Sequence, residues 1–339
     1  MHPKTTIHDI AKALNVNAAT VSRALNDHPA ISAKTKTAVR KEAKRQHYQP
    51  NRIASSLRSG RSKIIGVIIP SAEINFFGSV LHGIEKVANE HGYTIIIYQS
   101  NESAEWERKG IETLLRSRVD GVIVSIAKNS ISLEHFKNLK ERGTPLLFFD
   151  RSCDEVGAPS VTVDDYKGAY LATEHLIQQG YRNIAYIAGQ KHVAIWQQRL
   201  QGYKDALRAA GMPIKPEYIV HGDVSVDSGK ACMAKLLSLS TKPGAICCVE
   251  DFTALGALQL LKERGVNVPG EMGVIGFANE AFGAYLTPSL STVDQQTIRM
   301  GEEVAKLFFE LAAKDDFYGA EKKIVLEPVL IIRESSSKS

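Results

Sequence analysis

Thr6-Ile7-His8-Asp9-Ile10-Ala11-Lys12-Ala13-Leu14, then Asn15-Val16-Asn17, then Ala18-Ala19-Thr20-Val21-Ser22-Arg23-Ala24-Leu25-Asn26 decide how the chain begins to fold. Ile7, Ile10, Ala11 and Leu14 fall at i, i+3, i+4 and i+7, which is one apolar stripe on a helix of about two turns. Thr6 and Asp9 form a capping-box-like start, with Asp9 where Glu or Gln is usual. Asn15 tolerates the left-handed backbone a sharp turn needs, and Asn17 can cap the next helix. There Val21, Ala24 and Leu25 supply the buried stripe, while Ala18, Ala19, Ser22 and Arg23 fall on the outward face. Ser32 caps a third helix through Val39 and Ala43, whose outer face carries Lys34, Lys36, Arg40, Lys41, Lys44 and Arg45. Two short helices across a tight turn, braced by a third, make a helix-turn-helix unit. The second helix of such a unit fits the major groove of DNA. Arg23 suits a bidentate contact with guanine, and Ala18 and Ala19 suit apolar contact with a thymine methyl.

Charge points the same way. The 339-residue chain has a formal net charge of +5, but its first 63 residues hold thirteen Lys or Arg against Asp9, Asp27 and Glu42, a net of +10. The remaining 276 residues therefore carry −5. A basic head on a mildly acidic body implies an anionic polymer bound at one end.

The run from Thr6 to Leu14, Val16 to Asn26, Ile31-Ser32-Ala33-Lys34-Thr35 and Tyr48-Gln49-Pro50-Asn51 resembles the amino-terminal signature of the lactose-repressor/galactose-repressor family. The family's usual glycine in the turn is replaced here by Asn15. The resemblance implies a DNA-binding set of Thr6, Asn17, Ala18, Ala19, Thr20, Ser22, Arg23 and Asn26. After Pro50, Asn51 to Gly60 mixes few helix formers with Ser and Gly and would be marginal alone. It resembles the family's hinge helix, which folds as paired hinges enter the minor groove. That implies roles for Asn51, Ala54 and Ser55, and for Leu57 as a wedge between central base pairs. Ser55 stands where Arg is frequent.

From Lys63 the rhythm becomes buried strands alternating with helices. The strand segments are 64–69, 94–98, 121–125 and 145–150, then 183–187, 245–249 and 272–276. Continuous apolar strands separated by helices imply parallel sheets covered on both faces. Two sets imply two lobes and a cleft, similar to the periplasmic-binding-protein-like core of the same family. The expected class is therefore α/β, a small all-α head followed by a two-lobed sensor. Expected boundaries are 1–48 for the head, 49–61 for the hinge and 62–339 for the sensor. The first lobe is expected over 62–162 plus 292–322, and the second over 163–290 plus 323–334.

Ligands in open α/β sheets gather at the carboxyl ends of the strands. Phe76 and Phe77 follow the first strand, Asp150 ends the fourth, Asp164 follows Val161-Thr162-Val163, and Asp251 follows Val249. Trp196 and Arg199 precede Leu200-Gln201-Gly202-Tyr203. Aromatic faces, carboxylates and one Arg suit a sugar, a sugar acid or another hydroxyl-rich metabolite. The resemblance implies that Arg199 is the effector-binding arginine and that Asp150, Asp164 and the Phe pair line the pocket. Asn279 completes the candidate set. It lies in Ala278-Asn279-Glu280, where many family members carry an effector-contacting acid, and Glu250-Asp251 stands where Asn-Asp is frequent.

Other classes find little support. The chain has no Gly-x-Ser-x-Gly, His-Glu-x-x-His or Walker phosphate loop, so an enzyme is not expected. Its four cysteines lack metal spacing, and no metal or cofactor is expected. A transport sugar-binding protein would need a secretory leader and would lack the basic head. The start, Met1-His2-Pro3-Lys4, lacks a leader's apolar core, and no apolar run suits a membrane span, so a cytoplasmic protein is expected. The end, Arg333-Glu334-Ser335-Ser336-Ser337, has no leucine heptad, so a homodimer on a palindromic operator is expected rather than a tetramer.

Overall fold

Three helices build the amino-terminal unit: α1 (Ile7–Ala13), α2 (Ala18–Leu25) and α3 (Ala33–Arg45). The computed structural model describes residues 5–48, 60–314, 317–319 and 322–338, and divides into one unit up to Ser62 and another from Lys63. In α1 the capping box forms as Thr6 N and Thr6 Oγ1 both donate to Asp9 Oδ2 at 2.8 Å. Asn15 takes a φ of +50°, the left-handed turn that Asn tolerates. Asn17 Oδ1 then accepts from Thr20 N at 2.7 Å, and Ser32 Oγ accepts from Thr35 N at 3.2 Å. Ile10, Ala11, Val21, Ala24, Val39 and Ala43 make the buried core, with Ile7, Leu14 and Leu25 packed at its edge. Ala18 also packs at this edge and is half-buried, so the outward face of α2 is narrower than the periodicity suggests.

The body runs β1 (Ile64–Ile69), α4 (Asn75–Glu90), β2 (Thr94–Gln99), α5 (Ala104–Arg116), β3 (Gly121–Val124), α6 (Glu134–Glu141), β4 (Leu146–Phe149) and β5 (Ser160–Val163). There follow α7 (Asp165–Gln178), β6 (Ile184–Ala188), α8 (Ala194–Ala209), β7 (Ile219–His221), α9 (Val226–Leu237), β8 (Ala245–Cys248), α10 (Asp251–Glu263) and β9 (Gly273–Ile275). Last come β10 (Thr292–Asp294), α11 (Thr297–Ala312), β11 (Lys323–Leu326) and β12 (Val329–Ile331). One parallel sheet has the order β11-β5-β4-β3-β1-β2 and the other β7-β6-β8-β9. Their central strands are buried on both faces, which is why they read as unbroken apolar runs, whereas the edge strand β2 leaves Ile96 and Ile97 exposed. On the first sheet, α4 and α11 approach closely. A Cβ on Gly83 would lie 2.2 Å from the Ile298 carbonyl oxygen, so only glycine fits there.

The chain crosses between lobes after β5, after β10 and after β11. These crossings are tied together: Asp164 N donates to the Leu326 carbonyl at 3.0 Å, Lys167 Nζ to Glu327 Oε2 at 2.6 Å, and the Gln296 side-chain amide to the Glu327 carbonyl. Two return segments differ from expectation. Residues 323–326, expected in the second lobe, form β11 and pair with β5 at the edge of the first sheet. Residues 292–294, expected in the first lobe, form β10, which pairs with β12 and buries Val293 in the second-lobe core. The apolar runs Ile324-Val325-Leu326 and Val329-Leu330-Ile331 are too short and too alike to name a sheet, which is chosen by pairing partners distant in sequence. No helix among the described residues is long and apolar enough to cross a membrane.

Candidate functional site

The carboxyl ends of both parallel sheets converge on one cleft within the body, where the space between atoms, open solvent included, is about 390 Å³. From the first lobe it is lined by Ile74, Phe76 and Phe77 at the start of α4 and by Asp150 and Arg151 after β4. From the second come Ile195 and Arg199 on α8, Glu250, Asp251 and Phe252 at the start of α10, and Ala278 and Glu280 after β9.

Arg199 is 1% exposed. Its charge is met inside the second lobe: Nε donates to Asp165 Oδ1 at 2.7 Å and Nη1 to the Val249 carbonyl at 2.7 Å, with the guanidinium 3.7 Å from the Phe277 ring centroid. The arginine thus reaches the cleft as the tip of a satisfied network, the usual condition for a buried charge. Asp251 is fully buried, and its two oxygens accept from Thr292 Oγ1 and from Glu280 N, both at 2.7 Å. Burial pushes its carboxyl up to about 7. Asp150 takes a left-handed φ of +58° and accepts from Ser125 Oγ at 3.0 Å; burial pushes it up to about 6. Asp165 and Glu280 are also raised by burial.

Two hydrogen bonds link the lobes across the cleft. Phe76 N donates to Glu280 Oε1 at 3.3 Å, and His192 Nε2 donates to the Lys128 carbonyl at 2.8 Å. Phe76 meets Phe77 edge-on with centroids 5.0 Å apart, and both rings belong to the first-lobe core while facing the cleft.

Five of the eight residues expected in the pocket therefore line it: Phe76, Phe77, Asp150, Arg199 and Asp251. Trp196 stands behind the lining, 3% exposed, and donates from Nε1 to Glu250 Oε1 at 3.1 Å. Asp164 turns away to cap α7 by accepting from Lys167 N at 2.8 Å. Asn279 also turns away, donating from Nδ2 to Asp294 Oδ2 at 2.9 Å and accepting from Arg333 Nη2 at 2.9 Å. Sequence reasoning passed over Asp165 and Arg151. Each is the neighbour of a chosen aspartate: Arg151 lines the cleft beside Asp150, and Asp165 serves it from behind by accepting from Arg199. Glu280 stood out only as a departure from the family pattern, yet it is the carboxylate that reaches the cleft from that loop.

In the head, Ala19 and Arg23 are exposed on α2, with Thr20 and Ser22 half-buried. Thr6, Asn17 and Asn26 sit at helix ends, with Asn26 Nδ2 donating to the Ser22 carbonyl at 2.9 Å. Lys36 and Arg40 each lie 3.0 Å from Asp27 Oδ1 and Arg45 pairs with Glu42, while Lys34, Lys41 and Lys44 stand exposed on α3. Asn51, Ala54, Ser55 and Leu57 lie outside the described residues. Among the described residues no group of His, Cys, Asp and Glu could hold a metal ion.

The head and body match different family models. Residues 6–51 match the model for bacterial regulatory proteins of the lacI family, and residues 62–325 match that for periplasmic binding proteins and the sugar binding domain of the LacI family. The chain is 31% identical to the HTH-type transcriptional repressor PurR of Pasteurella multocida, covering 97% of this chain and 98% of that protein. It is 33% identical to catabolite control protein A of Priestia megaterium, covering 91% and 93% respectively. Among solved structures, the Lac repressor dimer bound to operator and the anti-inducer ONPF superposes with a TM-score of 0.88 at 25% identity, covering 99% of this chain and 100% of that one. A complex of the transcriptional regulator CelR with cellobiose gives 0.73 at 28%, covering 98% and 100%. This chain belongs to the LacI family of bacterial transcription regulators, with a helix-turn-helix head and a two-lobed ligand-binding body.

Proposed function

We propose that this chain is an operator-binding repressor that acts as a homodimer and is switched by a sugar or sugar derivative held between the lobes of its body. The observation that carries the reading is the cleft itself: buried Asp150, Asp251 and Glu280 with Arg199 and two phenyl rings at the carboxyl ends of both sheets. Carboxylates accept hydroxyl protons, the arginine donates in a fixed fork, and rings cover apolar sugar faces. Similar proteins solved with cellobiose and, in Enterococcus faecium, with ribose support the same class of ligand. Occupying the cleft can bias the lobes only by contacting them differently in two arrangements, and the cross-cleft bond from Phe76 to Glu280 is a contact a ligand can replace.

On this reading the body is a sensor without catalysis, and the head acts on DNA in the cytoplasm. Ala18, Ala19, Ser22 and Arg23 read base edges, and Thr6, Asn17, Thr20 and Asn26 position the helix on phosphates. Asn51, Ala54, Ser55 and Leu57 follow the family hinge into the minor groove. The experiment is a thermal-shift screen of sugars, sugar acids and nucleobases, since a ligand binding only the folded state raises its melting temperature. A shift with a sugar or sugar acid that also changes operator affinity is expected. A shift with a purine and none with any sugar overturns the ligand class.

A further inference from the structure

Charge in the cleft does not balance. Arg199 is committed to Asp165, with Nε and Oδ1 2.7 Å apart, and Arg151 to Glu102, whose carboxylate lies 2.8–3.1 Å from Nη1 and Nη2. With both cations so matched, Asp150, Glu250, Asp251 and Glu280 line the cleft with no cation of their own. The remaining approaches of the two guanidiniums to these carboxyls are longer: 3.8 Å from Arg151 Nε to Asp150 Oδ2, and 3.7 Å from Arg199 Nη1 to Glu250 Oε1. Among the described residues no Lys or His lines the cleft. Lys128 and His192 line the adjoining cavity at its outer mouth instead.

The carboxyls respond to this surplus. Burial raises Asp150, Asp251 and Glu280 above the ordinary carboxylate range, and repulsion from Glu250 adds to the rise at Asp251 and Glu280. Asp251 spends both oxygens within its lobe, on Thr292 Oγ1 and Glu280 N. The other three each keep one oxygen that accepts no hydrogen bond among the described residues. Asp150 uses only Oδ2, for Ser125; Glu250 uses Oε1 for Trp196, and Glu280 uses Oε1 for Phe76 N. Asp150 and Glu280 are 7% and 4% exposed, so little but the cleft is open to them. Glu250 also stands where the family pattern frequently has an amide, so one carboxylate is added here. Three open acceptors match the three donors of a primary ammonium group, and a buried cation is tolerated only where it is paired and hydrogen-bonded.

We infer that the effector is an amino sugar, whose protonated primary amine is held by Asp150 from the first lobe and by Glu250 and Glu280 from the second. Its hydroxyl-bearing ring is left for Arg199 and the phenyl pair. A cation bound by carboxylates of both lobes draws the lobes together, whereas a neutral hydroxyl in the same place leaves their repulsion uncompensated. The inference rests on the sugar reading of the cleft and specifies the charge of its ligand.

The test uses the full chain at about pH 7, where an amine of the α-amino type is mostly charged. Calorimetry compares matched triples: glucosamine, glucose and N-acetylglucosamine; galactosamine, galactose and N-acetylgalactosamine; mannosamine, mannose and N-acetylmannosamine; and the glucosamine disaccharide, cellobiose and diacetylchitobiose. In the triple that binds, the free amine should bind at least about tenfold tighter than either neutral form. The acetylated form is the sharper control, because it keeps the nitrogen and loses the charge. Glu250→Gln and Glu280→Gln keep the side-chain shape, and each should cut the ratio of amine to parent-sugar affinity by about tenfold. A neutral member that binds as well as the amine, or a ratio unmoved in both variants, overturns the inference and leaves the sugar reading standing. Binding by no member of any triple overturns both. The triples in the unaltered chain decide the matter even if a variant fails to fold.

Discussion

The head and the body handle charge in opposite ways. In the head every buried side chain among the described residues is apolar, from Ile10 to Ala43, and the cations stand outside. Asp27, which meets Lys36 and Arg40, keeps a side chain 68% exposed, so those pairs are screened and contribute little stability. The body instead buries Asp150, Asp165, Arg199, Asp251 and Glu280 around one cleft. A surface charge can be spent on an outside partner such as a phosphate without disturbing the core. A buried charge must first be satisfied at home, so the charged groups around the cleft also hold the lobe together.

Arg199 puts that contrast to its hardest test. Arg199→Ala should abolish effector binding and also destabilise the body by about 3–5 kcal/mol, because Asp165 would be left buried without its cation. Denaturant unfolding of the single variant and of Arg199→Gln with Asp165→Asn separates the two effects. The double variant should regain most of the stability and none of the ligand affinity. If Arg199→Ala unfolds like the parent chain, the claim that this charge is structurally committed is wrong.

Asp150 should show the same commitment through pH. Burial raises its carboxyl from 3.8 to about 6, so the folded chain holds this proton more tightly than the unfolded chain does. The resulting penalty is full above pH 6 and is relieved as pH falls through that value toward 3.8. Asp150→Asn removes the charge and keeps a residue that tolerates the left-handed backbone. It should be more stable than the parent by about 1–3 kcal/mol near pH 7.5, with the gap closing near pH 4.5. A gap independent of pH would show that Asp150 does not titrate with folding.

The head predicts separable losses. Arg23→Ala should cost about 1–3 kcal/mol in operator affinity, weaken random DNA much less, and leave ligand binding by the body unchanged. Equal losses on operator and random DNA would reduce Arg23 to a phosphate contact. Asn17→Ala, which removes the 2.7 Å cap on Thr20 N, should lower head stability by about 1 kcal/mol with the body's melt untouched. Amide exchange in α2 that stays as slow as in the parent would show that this bond does not hold the helix end.

Read along the chain, the head and the strand rhythm of the body were legible because local periodicity carries them. Ile7, Ile10, Ala11 and Leu14 repeat as a helix does, Asn15 and Asn17 are turn and cap residues by their own chemistry, and strands such as Ile64 to Ile69 are apolar throughout. The cleft was legible as a place, since ligands gather where parallel strands end, and Arg199, Asp150, Asp251 and the phenyl pair are there. Which neighbour serves it, by lining it or by holding a residue that does, was not. Asp164 caps α7 while Asp165 binds Arg199, and Asn279 ties to Asp294 and Arg333 while Glu280 crosses to Phe76. The sheet of β11 and the pairing of β10 with β12 were equally out of reach. Periodicity and end chemistry act between residues a few positions apart and so are written in order along the chain. The direction of a single side chain at a loop, and the partner of a short edge strand, are settled by contacts between residues tens to hundreds of positions apart. Those contacts exist only once both lobes have closed around their cores.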